Sequence, residues 1–234
     1  MNVRSSRGKA LQPYLLQELE GDLLPWALDE RIRSWGYDPL AGVDEAGRGP
    51  LAGPLVAAAV ILRRGERIDG LRDSKLMSPE ERERVFEEIS SRAVAVGLGV
   101  VEPEELDSLG MTRATRKAME RAVGELEVAP MAVVIDGPMG IGKAIVQFPM
   151  VKGDRRSHCV AAASVIAKVT RDRLMTRYHE MYPHYGFHRH KGYATKEHLE
   201  AIVRYGPCPI HRKSFRLPGC GGGEEGGLGW IRQP

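Results

Sequence analysis

From Leu40 onward the chain falls into short apolar runs of strand length, each cut off by glycine, proline or an acid: LAGVDEAG, PLVAAAVIL, VAVGLGVV, then MAVVID and AIVQFPMV. Runs this short, bounded by turn residues, predict buried strands, with the first three forming a meander. Between the second and third lies SPEERERVFEEISSRA, where Ser78 as N-cap, Pro79 in the first turn and Glu81 as capping-box partner predict a helix. Helical spacing also predicts helices over residues 112–126, 158–181 and 195–204. Strands and helices mixed in this order predict a layered α/β domain, and 234 residues suffice for one sizeable core.

Residues 1–38 predict a helical N-terminal extension, with Leu15, Leu16, Leu19, Leu23 and Leu24 partly periodic and Gly21 and Pro25 interrupting. The domain proper is expected over 39–216. Residues 217–234, which include GCGGGEEGGLG, predict a flexible tail. The sequence has no uninterrupted apolar stretch of about 18 residues and no secretory signal pattern, so a cytoplasmic protein without membrane contact is expected. Cys159, Cys208 and Cys220 form no CxxC and cannot all pair, which suits a reducing compartment.

Net charge is only +3, yet residues 141–216 hold 15 Lys/Arg against 5 Asp/Glu, and all seven histidines fall between His158 and His211. A basic half joined to an acidic half points to a polyanionic partner, of which a phosphate backbone is the commonest. Lys143, Lys152, Arg155, Lys168 and Arg171 are the expected phosphate contacts. Asp172 is expected to pair with neighbouring arginines on its helix. The histidines and Cys208 lack zinc-finger spacing, so zinc is not expected.

One segment imitates a nucleotide site. In VVIDGPMGIGKA the spacing from Gly137 to Lys143 is that of a P-loop, but Ala144 stands where the magnesium-binding hydroxyl belongs. The next run, AIVQFPMV, has strand character, so the loop lacks the helix N-terminus that would bind phosphate. GRGPLAG, with its last glycine one residue too far and Pro50 in the turn, is likewise no dinucleotide fingerprint.

The alternative is that Asp136, at the strand-to-loop boundary, carries the chemistry. An ionised carboxylate ending an apolar run is costly unless something compensates it. Asp44 and Glu45 end another apolar run, and Asp154 comes just after a third. Adjacent strand residues point to opposite faces, so Asp44 and Glu45 can share a site only where the strand ends or bulges, which Gly47 permits. Clustered oxygen ligands suit Mg2+ or Mn2+, and a two-ion site of that kind serves phosphodiester cleavage.

DEAGRG with GPLVAAAVIL, the DSK at 73–75, IDG at 135–137, VKGD at 151–154, AASVIAKVTRDR at 162–173, HKGYATKEHL at 190–199 and HRKSF at 211–215 together resemble the ribonuclease HII family. The resemblance covers residues 39–216. It implies an α/β ribonuclease H-like mixed sheet flanked by helices, with a small helical C-terminal part. It implies that Asp44, Glu45, Asp136 and Asp154 are the catalytic, metal-binding acids. The implied reaction is hydrolysis of the RNA strand of RNA/DNA hybrids, and nicking 5′ of single ribonucleotides in duplex DNA, leaving 3′-hydroxyl and 5′-phosphate ends.

Telling RNA from DNA at one position requires sensing a 2′-hydroxyl. The resemblance gives that task to Gly47, Arg48 and Gly49, whose glycines let backbone approach a sugar, with Tyr193 stacking on the neighbouring sugar and Lys75 at the scissile region. A monomer is expected. Two other readings remain open on sequence: a metal-dependent DNA nuclease of the same fold, and a nucleic-acid-binding protein without catalysis.

Overall fold

The computed structural model describes residues 25–71, 74 and 77–218. The expected extension is therefore seen only from Pro25 on. Residues 1–24, the tail from 219, and Lys75 lie outside the described residues. Helix α1 (Pro25–Ser34) leads into β1 (Leu40–Ala46) and β2 (Leu55–Ile61). Then come α2 (Pro79–Arg92), β3 (Ala95–Val101), α3 (Pro103–Leu109), α4 (Met111–Gly124), β4 (Ala132–Asp136) and β5 (Val146–Met150). The long α5 (His158–Met181), short α6 (Phe187–His190) and α7 (Lys196–Tyr205) complete the chain.

The strands form one mixed sheet in the order β3-β2-β1-β4-β5. β1, β2 and β3 are an antiparallel meander, as the sequence predicts, while β4 runs parallel to β1 and β5 parallel to β4. Alternation along each strand sorts the core into two layers. Ala41, Val43, Ala57, Ala59, Val133 and Ile135 pack under Leu106, Ala114, Ala118 and Ala122 of α3 and α4. Ala58 and Val60 face Val85 and Ile89 of α2 and the buried run Ala162–Ala167 of α5. A helix apolar nearly all round belongs inside, and α5 is buried from Cys159 through Ala167.

Gly42 explains how α5 comes so close. A Cβ there would stand 2.1 Å from the Cys159 backbone carbon and 2.2 Å from the Val160 nitrogen, so helix and strand touch backbone to backbone. On the same side, Leu28 and Ile32 of α1 pack with Leu40, Val134, Phe148 and Val160. A separate cluster, Leu51, Met175, Tyr185, Phe187, Ala201, Ile202 and Ile210, builds the helical C-terminal part around the far half of α5.

The caps act as predicted: the Ser78 hydroxyl accepts the Glu81 amide (3.2 Å) and the Glu81 carboxylate accepts the Ser78 amide (2.8 Å). Helix α3 was not expected. It is a single short segment with Pro103 at its start, and it ends on Gly110, whose φ of 74° lets the next helix begin at once.

The glycine loop of the false P-loop has its own task. β4 and β5 are parallel neighbours, and residues 137–145 carry the chain back along the sheet without the helix usual in such a crossover. The Gln147 side chain accepts the Ile141 amide (2.8 Å) and donates to the carbonyls of Ile141 and Lys143 (2.9 Å each). The Gly142 amide donates to the Glu120 carboxylate (2.7 Å), so an anion already sits where a P-loop would hold phosphate. Because Ala132 pairs with Val146, the loop delivers Lys143 to the opposite end of the sheet from Asp136. Lys143, one of the expected phosphate contacts, therefore stands away from the acids.

Candidate active site

The acids meet because β1 and β4 are parallel and in register. Val43 pairs with Ile135, so the next residues, Asp44 and Asp136, leave adjacent strands at the same end. Alternation puts Asp44 on the face of Gly42 and Asp136 on the face of Val134, and both faces look toward α5. Pairing of β1 with β4 stops there, while pairing with β2 continues through Ala46. β1 thus passes Asp44 and Glu45 without ending or bulging, contrary to the expected break, so the two keep the alternation of a regular strand and the chain turns away only at Gly47.

Asp136 is tied to the fourth acid through the backbone. Its Oδ1 accepts the Gly153 amide at 2.7 Å, and Gly153–Arg155 is a single 3-10 turn carrying the buried Asp154. Lys152, left-handed at φ 57°, turns the chain out of β5 into that segment. Ser157 then caps α5 by accepting the Val160 amide (3.2 Å).

Asp44 is 6% exposed, and its Oδ1 accepts the Glu45 amide at 2.7 Å. It also bonds Ser164 of α5, whose hydroxyl lies 2.8 Å from that of Ser74. Burial first, then the charges of Glu45 and Asp136, push the Asp44 carboxyl well above the usual range. Glu45 is ion-paired with Arg48 at 3.4 Å. Among the described residues no three Asp, Glu, His or Cys side chains are already drawn into a metal-holding cluster. The charges of Glu45 and Asp136 act against an ionised Asp44, and a hard divalent cation is the ligand whose charge would relieve that repulsion. The donor set fits Mg2+ or Mn2+.

Beside the acids runs the segment 47–54. Gly47 has φ 101°, and a Cβ there would strike the Arg171 side chain at 2.2 Å, so only glycine fits. Arg48 and Gly49 are exposed, and the position of a Gly49 Cβ is 3.7 Å from the ring of Tyr193, itself 44% exposed. The Leu51 amide donates to the Gly192 carbonyl at 2.8 Å, locking the two segments together. Gly47, Arg48, Gly49 and Tyr193 are thus brought to one place. Lys168 lies on α5 with its ammonium 2.7 Å from Asp172.

Two expectations are corrected by these contacts. Arg171 is 1% exposed and donates to three backbone carbonyls, so it is not a phosphate contact. Asp172 pairs with Lys168 rather than with an arginine, because Arg171 turns inward and Arg173 reaches Glu87 of α2 at 3.0 Å. Lys152 and Arg155 remain at the surface beside Asp154. Nothing in the sequence hinted at Ser164, which looks like ordinary helix filler, or at Arg212, buried completely inside HRKSF. His190, His198 and His211 pack against Phe187 in the C-terminal part.

A mixed sheet of this order, helices on both faces and carboxylates at the ends of its parallel central strands define a ribonuclease H-like nuclease. A family model described as Ribonuclease HII matches residues 41–217, and the chain belongs to the ribonuclease HII family. It is 51% identical over 189 residues to a Ribonuclease HII of Bacillus licheniformis, covering 81% of this chain and 74% of that protein. The crystal structure of the ribonuclease H2 from Pyrococcus horikoshii OT3 superposes with a TM-score of 0.64 at 28% identity, over 75% of this chain and 93% of that one. A structure of Bst-RNase HIII in complex with Mn2+ shares the fold, with a TM-score of 0.57 at 21% identity over 71% of this chain and 62% of that one. The family's activity is that of a type 2 ribonuclease H, an endonuclease acting on RNA/DNA substrates and dependent on divalent metal. Among the described residues no helix is long and apolar enough to cross a membrane.

Proposed function

We propose that this protein nicks duplex DNA on the 5′ side of a single embedded ribonucleotide and degrades the RNA strand of longer hybrids, leaving 3′-hydroxyl and 5′-phosphate ends. Such an activity serves ribonucleotide excision and RNA primer removal. The observation that carries the reading is the in-register delivery of Asp44 and Asp136 by two parallel strands, beside the exposed Arg48 and Gly49 and the ring of Tyr193. Acids at one strand end and exposed glycine backbone beside an exposed aromatic ring are what a ribose-selective phosphodiesterase needs.

Asp44, Glu45, Asp136 and Asp154 would hold two Mg2+ or Mn2+ ions, which when bound supply activation of the attacking water and stabilisation of charge on the leaving oxygen. The chain's own residues do the positioning. The Gly153 amide holds Asp136 through its Oδ1, and the Glu45 amide and Ser164 hold Asp44, which limits the rotation of both carboxylates. Backbone at Gly47–Gly49 senses the 2′-hydroxyl, and the Tyr193 ring stacks on the next sugar. Lys152, Arg155 and Lys168 attract the phosphates, and the family resemblance gives Lys75 a role at the scissile one. The protein acts as a monomer.

A duplex with one ribonucleotide, end-labelled and incubated with Mg2+ or Mn2+, is expected to give a single cut 5′ of that residue, with 3′-hydroxyl ends that a polymerase can extend. The matched all-DNA duplex stays whole, as does the ribonucleotide duplex with chelator. Cleavage of the all-DNA duplex at a comparable rate would assign the fold to a DNA nuclease instead.

A further inference from the structure

Arg212 has no route to substrate, since its side chain is among the largest fully buried ones in the molecule. Its guanidinium spends its donors on one segment of backbone. Nη2 donates to the Gly47 carbonyl (2.5 Å) and more distantly to that of Pro54 (3.4 Å), Nη1 to that of Arg48 (3.1 Å), and Nε to that of Gly53 (3.0 Å). The backbone around it is laced to the same segment, with the Arg212 amide on the Leu51 carbonyl and the Gly53 amide on that of Ile210, 2.9 Å each. Arg171 supports the rest, donating to the carbonyls of Pro54 (3.0 Å), Ala52 (3.1 Å) and Lys191 (2.9 Å).

In a trans peptide the C=O and the adjoining N–H point in opposite directions. The only cis bond among the described residues is Asp38-Pro39, so both peptides that flank Arg48 are trans. With the carbonyls of Gly47 and Arg48 drawn inward to Arg212, the amides of Arg48 and Gly49 are turned outward. Both residues are exposed, and Gly49 lies against Tyr193. A segment free to flip its peptides would show either carbonyls or amides at this surface. The buried fork selects amides.

We propose that Arg212 is a positioning residue for substrate specificity: by holding the Gly47 and Arg48 carbonyls it fixes two outward backbone donors that recognise the 2′-oxygen of a ribose. The inference rests on the proposed role of this segment as the sugar sensor. A planar guanidinium is required because its donors diverge in a fixed plane and reach carbonyls of residues 47, 48 and 53 at once, whereas an ammonium on a flexible stem reaches fewer. Burial, and then the neighbouring Arg171 cation, push the Arg212 guanidinium pKa down, the mark of a cation kept inside for its hydrogen bonds. Its face also lies over Phe215, 5.3 Å from the ring centre, which holds the fork in plane.

The test uses the full chain with Mg2+ and two duplexes of one sequence. The single-ribonucleotide duplex is the substrate, and the all-DNA duplex is a competitor whose inhibition constant reports phosphate binding alone. Arg212→Met is expected to lower kcat/KM on the ribonucleotide duplex by roughly 30-fold or more, at about a 1.4 kcal/mol cost per tenfold. The inhibition constant of the all-DNA duplex and the Mg2+ concentration for half activity should move less than about twofold. Arg212→Lys should fall between parent and Met variant, and it carries the test alone if the Met variant is unfolded at the assay temperature. Unchanged kcat/KM in these variants overturns the proposal, as does a parallel loss for both duplexes, which is the signature of a merely structural arginine. If the parent itself does not discriminate between the duplexes, the sugar-sensor reading fails and this proposal with it.

Discussion

Asp44 shows what a buried carboxyl among other acids costs the fold. Its carboxyl is buried, and the nearby charges of Glu45 and Asp136 add to the desolvation that raises its pKa. A carboxyl whose folded pKa lies above its unfolded value contributes stability that is fully present below the unfolded value, near 3.8, and lost as pH rises through the folded one. At neutral pH without metal, Asp44 is therefore a liability. Asn keeps an oxygen for the Glu45 amide while removing the charge. Asp44→Asn is expected to melt above wild type in chelator at pH 7, at roughly 2–4 °C per kcal/mol relieved, with the gap closing toward pH 4. It should also lose metal-dependent cleavage. A melting temperature well below wild type would make Asp44 a structural residue instead.

At the scale of elements, the C-terminal helical part is built around neutral histidines. His198 Nδ1 donates to the Tyr193 carbonyl (2.8 Å), which leaves its Nε2 as acceptor for the Nε2 proton of His211, 3.1 Å away. His211 Nδ1 is then the acceptor for the Cys208 amide (2.9 Å), and His190 stacks on His198 at 4.5 Å. Charging any of them would set donor against donor, and burial holds His198 down to about 4. Its neutral form stabilises the fold fully above its unfolded pKa of about 6.5, and that contribution is lost as pH falls from there toward 4, on the order of 3 kcal/mol for this site alone. Urea titrations at pH 7 and pH 5 should show the loss in wild type and a weaker one in His198→Gln. Equal pH dependence in both would remove His198 from the histidine cluster's pH response. The sequence showed seven histidines in a basic stretch but not that His190, His198 and His211 are buried. The same holds for Arg171 and Arg212, since a cation in a charged run looks solvated until the fold supplies carbonyls around it. The strands were legible because apolar runs of that length permit little else, and the acids because they end those runs. The helix-free connection after β4 was legible too, because AIVQFPMV has strand character directly after the glycine loop, whereas helix α3 was not, since so short a segment depends on what packs against it.

On the scale of the whole molecule, the division into an acidic and a basic half matches the division of labour that the proposed function assigns. The sheet, from the first half of the chain with β4 and β5, sets the acids at one end. The basic stretch from residue 141 on supplies the buried arginines behind the Gly47–Gly49 segment and the exposed Lys152 and Arg155 beside Asp154. On the proposed function, binding and cutting should therefore be separable, because it gives phosphate attraction to one set of residues and hydrolysis to another. Asp136 is the point at which they part: it ends β4, anchors the turn carrying Asp154 and faces Asp44 across the strand pair. The most direct measurement is single-turnover cleavage of the single-ribonucleotide duplex by Asp136→Asn with Mg2+, alongside the affinity of the same variant for that duplex. A catalytic Asp136 predicts a rate lower by about 10³-fold or more, roughly 4 kcal/mol, with affinity within about threefold of wild type. Cleavage retained at a substantial fraction of the wild-type rate would contradict it.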